Sequence, residues 1–315
     1  MCARSRAGAV ISFRQTGKTY RALPLSGRAV RAVDDVTLDV GAGEVVGIAG
    51  PNGAGKSTLI ALLLGFLRPT AGEVRIEGAE PRSWVKEHGI AYLPELIHLP
   101  PRWRLDSALT RLAILGGVPA PEVESRVESA IERLGLEEHR SKRIKALSKG
   151  TLQRAGIAQT LLAADARLCV LDEPTHGLDP VWTLRFRDIV AQERRPDRAM
   201  LIASHVLDEL ERICDRVAII DHGRIQRVVE TRGLAGRRLA SAYRITVTSG
   251  AELVASVFPA AASTGPGEFV VEPADIESLN RGIASLIERG GRIAAVVPAQ
   301  SALEREFREA VGGTS

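Results

Sequence analysis

An α/β fold is what this sequence predicts: a mostly parallel sheet with helices on both faces, antiparallel strands before it, a helical insertion, and a small α+β appendage at the C-terminal end. Three observations carry this expectation. Short, wholly apolar runs at Val45–Ala49, Leu168–Leu171, Ala199–Ala203 and Val217–Ile220 alternate with longer helical patterns, as strands buried on both faces of a parallel sheet do. A nine-residue segment, Gly50-Pro51-Asn52-Gly53-Ala54-Gly55-Lys56-Ser57-Thr58, joins the first of these runs to a second apolar stretch, Leu59–Leu64. Beyond about Glu230 the composition shifts and the alternation starts afresh.

Taken in order, Val10 to Val46 alternates apolar and polar residues like short strands, and Gly41-Ala42-Gly43-Glu44 is a tight turn. The loop helix ends before Pro69-Thr70-Ala71-Gly72, and Glu73–Gly78 reads as a strand. From about Leu96 to Ala164 the pattern is helical, with apolar residues at helical spacing from Glu122 to Leu134. Pro180 to Gln192 is a helix with proline suited to its first turn. Arg232–Arg238 resembles a linker. After it come strands at Tyr243–Thr248, Phe269–Val271 and Ile293–Val297, and helices at about Asp275–Glu288 and Ala299–Val311. The expected domains are therefore 1–232, with a helical subdomain at about 96–164, a linker at 233–242, and an accessory α+β domain at 243–315.

The chain has 315 residues, 45% apolar and 25% charged, within the ordinary globular range. No apolar stretch reaches membrane-spanning length, and the basic N-terminal residues lack the apolar core of a signal peptide. Cys2, Cys169 and Cys214 show no metal or disulfide spacing and read as reduced thiols. A net charge of +4 with only 4% aromatic residues reads as a mixed solvated surface, and no nucleic-acid partner is expected.

The chemistry concentrates at strand ends. In Gly50–Thr58 the glycines let backbone N–H groups curl round a polyphosphate, Lys56 reaches the outer phosphates, and Ser57 offers a hydroxyl to Mg²⁺. A chance match to this spacing arises about once in tens of thousands of positions at average composition, so a bound nucleoside triphosphate is implied. Asp172 and Glu173 follow an apolar strand, where open α/β sheets place their ligands. Asp172 suits a metal's water shell. Glu173, expected to point to the other side, suits a general base. Ser204-His205 ends the next strand, and His205 is a candidate phosphate contact. His88, His98, His139 and His222 have no such setting, and His176 only adjoins one. Leu147–Arg154 precedes a helix, where Ser148 and Gly150 form a second anion cradle. One nucleotide does not need two cradles, so the second is expected to face the nucleotide of another subunit.

These segments together resemble the nucleotide-binding subunit of ABC transporters, from roughly Val10 to Thr231. Gly50–Thr58 is similar to the Walker A loop, Leu147–Arg154 to the signature, Leu168–Glu173 to the Walker B strand, and His176–Pro180 to the D-loop. His205 resembles the switch histidine, and Tyr20 the aromatic that stacks on adenine. The resemblance implies a P-loop ABC ATPase core with ATP and Mg²⁺ as cofactors, two ATPs held between two subunits in a homo- or heterodimer, and a separate integral membrane permease. The chain would then sit peripherally at the cytoplasmic face of the membrane. It further implies Ser57, Asp172 and Glu95 toward Mg²⁺, Glu173 and His205 in catalysis, Ser148, Lys149 and Gly150 acting across the dimer, and Asp179 coupling its halves. Glu95 stands where the family has glutamine, and Lys149 and Thr151 depart from the usual signature. Those departures, with Leu303-Glu304 and Phe307 in the tail, resemble the branch that exports drugs, lipids or polysaccharides. A non-transport ABC ATPase and an importer subunit are the alternatives.

Overall fold

The computed structural model describes residues 9–21, 29–163, 165–232, 242–299 and 301–312. The chain divides into two compact units, Met1–Val229 and Glu230–Ser315. Of the expected linker, residues 233–241 lie outside the described residues, as do Cys2 and Ala164.

In the first unit, β1 (Ala9–Tyr20) and β2 (Val30–Gly41) pair antiparallel. They are twelve residues each, longer than the short strands expected, and shifts in their register mark where the ladder is broken by bulges. Strand β3 (Val45–Ala49) is wholly buried and leads through the glycine loop into α1 (Lys56–Leu63). Strand β4 (Ala71–Ile76) completes a three-stranded sheet, β2-β1-β4. Two elements without a strong sequence signal follow: α2 (Pro81–His88), capped by Glu80, and the three-residue β5 (Ala91–Leu93).

The insertion is helical only in part. Helices α3 (Leu105–Leu115), α4 (Val123–Arg133) and α5 (Lys149–Leu162) are joined by short 3₁₀ turns, while the stretch from Leu96 to Arg104 forms no helix. Leu105, Leu109, Val127 and Ile131 are buried at helical spacing. The main sheet then resumes with β6 (Leu168–Asp172), α6 (Pro180–Glu193), β7 (Ala199–Ser204), α7 (Leu207–Ile213), β8 (Arg216–Asp221) and β9 (Arg224–Glu230).

The six strands lie in the order β5-β6-β7-β3-β8-β9. Strands β5, β6, β7, β3 and β8 run parallel, and their ends are in register: Leu93 pairs with Leu171, Asp172 with Ala203, and Ala49 with both Ser204 and Ile219. This alignment sets five loops along one edge. Phe13 and Leu38 of the antiparallel layer share a core with Leu59 and Leu63 of α1 and Ile48 of β3, each buried leucine contributing about 2 kcal/mol. The loop and its helix are thus clamped between two sheets.

The second unit runs β10 (Tyr243–Ser249), α8 (Ala251–Val257), β11 (Ala262–Gly265), β12 (Glu268–Val271), α9 (Ile276–Glu288), β13 (Arg292–Pro298) and α10 (Ala302–Gly312). Its antiparallel sheet has the order β11-β12-β10-β13, the split βαβ arrangement. Ile245, Val254, Phe258, Val271, Leu279 and Leu286 form its core. Helix α9 starts on a reciprocal cap, Asp275 accepting from Ser278 N at 2.6 Å.

Candidate functional site

The phosphate loop is shaped by close backbone packing. Gly55 has φ +110°, and a Cβ there would stand 2.4 Å from Ala32 O, so only glycine fits. Gly223 N donates to Ala54 O at 2.9 Å, and Asp34 N donates to Gly223 O at 2.8 Å. Strand β2 and the turn after β8 therefore brace the loop from behind.

A cavity of about 300 Å³ opens beside it, lined by Pro51, Asn52, Gly53, Gly55, Lys56, Ser57, Thr58, Glu95, Asp172 and Glu173, with Ala32 at its rim. Lys56 is buried, donates to Gly50 O at 2.7 Å and Pro51 O at 3.3 Å, and lies 3.7 Å from Glu173 Oε1. Asp172 is 4% exposed and accepts from the Ser57 hydroxyl, while its Oδ1 has no hydrogen-bond partner. Burial, with the charges of Glu95 and Glu173, pushes its carboxyl up to about 6.

Glu173 corrects one expectation. Strict strand alternation would send its side chain away from that of Asp172. Instead φ at Glu173 is +48°, a left-handed conformation, and both carboxylates line the same cavity. Ser204 Oγ donates to Glu173 Oε2 at 3.2 Å, and His205 Nδ1 lies 2.8 Å from the same oxygen. An ionised carboxylate only accepts, so the Nδ1 carries the proton. From α5, Gln153 Nε2 donates to Glu173 O at 3.2 Å and Pro174 O at 2.9 Å. Ser204 and Gln153 lie within segments the sequence marked, Ser204 beside His205 and Gln153 inside Leu147–Arg154, but no spacing pointed either side chain to Glu173.

Other expected site residues lie apart from this cavity. Ser148 caps α5, accepting from Thr151 N at 3.2 Å. Lys149 Nζ is 3.0 Å from His176 Nε2, and neither Lys149 nor Gly150 lines the cavity. Asp179 caps α6, accepting from Trp182 N at 2.9 Å. Tyr20 ends β1, half-exposed, with Lys18 Nζ 5.7 Å from its ring centroid. Cys169 and Cys214 are buried, with burial pushing the Cys169 thiol up to about 12.

The ABC transporter family model matches residues 33–176. An uncharacterized ABC transporter ATP-binding protein of Bacillus subtilis (strain 168), YdbJ, is 31% identical over 278 residues, covering 87% of this chain and 89% of that protein. The chain belongs to the ABC transporter ATP-binding proteins. It is an ABC ATPase, and such subunits dimerise and work with transmembrane components. A methionine import ATP-binding protein, MetN of Caulobacter vibrioides, is 37% identical over 232 residues, 69% of this chain and 65% of that protein. A solved ATP binding subunit of an ABC transporter superposes with a TM-score of 0.64 at 27% identity, over 72% of this chain and 92% of its own. A dimeric ATP-binding cassette bound to ADP and Pi shares the fold at 22% identity, with a TM-score of 0.64 and cover of 71% and 99%. Among the described residues no helix is long and apolar enough to cross a membrane.

Among the described residues no cluster of three or more His, Cys, Asp or Glu side chains forms a metal cage. Mg²⁺ in nucleotide sites needs only one or two carboxylates beside phosphate oxygens and water. The unpartnered Asp172 Oδ1 beside the Ser57 hydroxyl fits that requirement.

Proposed function

We propose that this ABC ATPase powers an exporter, two copies closing on two ATPs at the cytoplasmic face to drive a separate permease. The observation that carries the hydrolytic reading is Glu173, at the phosphate-loop cavity, hydrogen-bonded to His205 and 3.7 Å from Lys56. In this reading the amides of Gly50–Thr58 and the Lys56 ammonium bind the phosphates, and Tyr20 stacks on adenine. Ser57, Asp172 and Glu95 hold Mg²⁺, which neutralises phosphate charge when bound. Glu173 takes the proton of the attacking water, general-base help worth about 10²–10⁴ in rate. His205 orients that carboxylate and contacts the γ-phosphate. Ser148 and Gly150, which stand outside the chain's own cavity, complete the site of the partner subunit, and Asp179 couples the two halves.

The export direction is supported by Glu95 after Tyr92-Leu93-Pro94, by the Lys149-Gly150 signature and by the tail. Leu96, beside Glu95, is 65% exposed, an apolar side chain suited to a permease contact. The likeness to MetN of Caulobacter vibrioides favours a second reading, an importer subunit with a regulatory tail. Glu173→Gln is expected to abolish most turnover while ATP-dependent dimerisation persists; unchanged hydrolysis would remove Glu173 from its role. The ATP-locked variant, used to recover a polytopic partner from native membranes, then supplies the complex for vesicle transport assays. ATP-driven movement of cargo away from the ATPase side supports export, and movement toward it supports import.

A further inference from the structure

The signature lysine does not stand free. Lys149 begins α5, and its ammonium lies 3.0 Å from Nε2 of His176, across from α5 on the turn that follows the catalytic carboxylate. An ammonium has only protons to give, so His176 must present the Nε2 lone pair and carry its hydrogen on Nδ1. The lysine stem completes the contact. Gly177 has φ +82°, and a Cβ on it would come within 3.0–3.1 Å of three successive stem carbons of Lys149. The chain is therefore pressed against the lysine stem at a residue where no side chain intervenes.

The backbone beneath this contact leads directly to Glu173. His176 N donates to Glu173 O at 3.1 Å, and Leu178 N donates to Thr175 O at 3.1 Å. These bonds close a tight turn that begins at Glu173, whose left-handed φ of +48° is unfavourable for a side chain of this kind. Such a conformation persists only where the surroundings over-determine it. His176 is one of those constraints, and Lys149 is what holds His176 from outside the turn.

We infer that Lys149 and His176 form a positioning pair, which pins the turn from Glu173 to Leu178 onto the first turn of α5 and keeps the Glu173 carboxylate aimed into its own cavity. Lys149 thereby acts within its own subunit, through His176, and not on the nucleotide of the partner. The inference rests on Glu173 being the catalytic base.

The test is steady-state ATP hydrolysis by the full chain, with Glu173→Gln as control. Lys149→Met, His176→Leu and the double variant are each expected to lower kcat by the same factor, about three- to tenfold for the loss of one hydrogen bond in the transition state. KM for ATP stays at the wild-type value. His176→Gln, whose amide oxygen reaches the position of Nε2, is expected to restore kcat, which loss of a merely space-filling residue does not predict. Unchanged melting temperatures keep the readout on rate. A raised KM in Lys149→Met with His176→Leu silent overturns the inference and returns Lys149 to the partner's nucleotide. Additive effects, or two silent variants, overturn it equally. Full turnover in Glu173→Gln is a separate result, and refutes the assignment of the base itself.

Discussion

Asp172 is a carboxylate held where ionisation is costly: burial and the charges of Glu95 and Glu173 outweigh the help it receives from Lys56 and Ser57. The folded chain keeps its proton up to about pH 6, whereas the unfolded chain releases it near the ordinary aspartate value of 3.8. Stability contributed by this residue therefore falls as pH rises between those values, is fully lost above about pH 6, and is intact below the unfolded value. Asp172→Asn, measured by denaturant unfolding with nucleotide and metal withheld, is expected to be more stable than the parent at pH 7.5 by about 3 kcal/mol. The gap should close as pH falls from 6 toward 4. A gap that is flat with pH would mean the carboxyl is not perturbed. The same variant should lose Mg²⁺-dependent ATP turnover, so here stability is given up for a ligand. The Asp-Glu pair at a strand end was legible from residue types alone. The left-handed turn that brings both acids to one cavity was not, because it depends on contacts from α5 and β7 that no local spacing encodes.

At the scale of elements, α5 joins the site by one face. Lys149, Gly150 and Gln153 recur at helical spacing and all meet the segment after β6: Lys149 at His176, Gly150 against Gly177 O, and Gln153 at Glu173 O and Pro174 O. Gln153 is buried, so its amide exchanges bonds with protein and not with water. Gln153→Leu leaves the Pro174 carbonyl without this donor and is expected to cost about 1–2 kcal/mol of stability. Turnover should fall about tenfold as the support of Glu173 loosens, with KM for ATP little changed. Equal loss of nucleotide affinity and rate would instead place Gln153 in binding. The apolar runs of β3, β6, β7 and β8 were readable because burial on both faces leaves no polar position. Helix α7 spans seven residues and β5 three, too few for a period to emerge, and the mostly exposed β9 lacks an apolar signal. Their positions follow from neighbours in the sheet, not from their own composition.

Among the described residues each unit has a hydrophobic core of its own, one joining both sheets of the first unit through α1 and one beneath the four-stranded sheet of the second. Each unit buries its own apolar face, the condition for independent folding. The cavity with Lys56, Asp172 and Glu173 belongs wholly to the first. A ligand that binds only the native state raises the melting point of the unit that holds its site, by an amount set by concentration over Kd. Calorimetry of the full chain is therefore expected to show two transitions. Mg²⁺ and ATP should move one upward and leave the other in place, and residues 1–232 alone should reproduce the responsive transition. Their basal hydrolysis should persist as well, since every residue assigned to phosphate, metal or water lies before Arg232. If both transitions move together with nucleotide, the two units unfold as one cooperative body and the accessory unit is coupled to the ATP site. In that case truncation should change the nucleotide dependence of association before it changes the rate of hydrolysis.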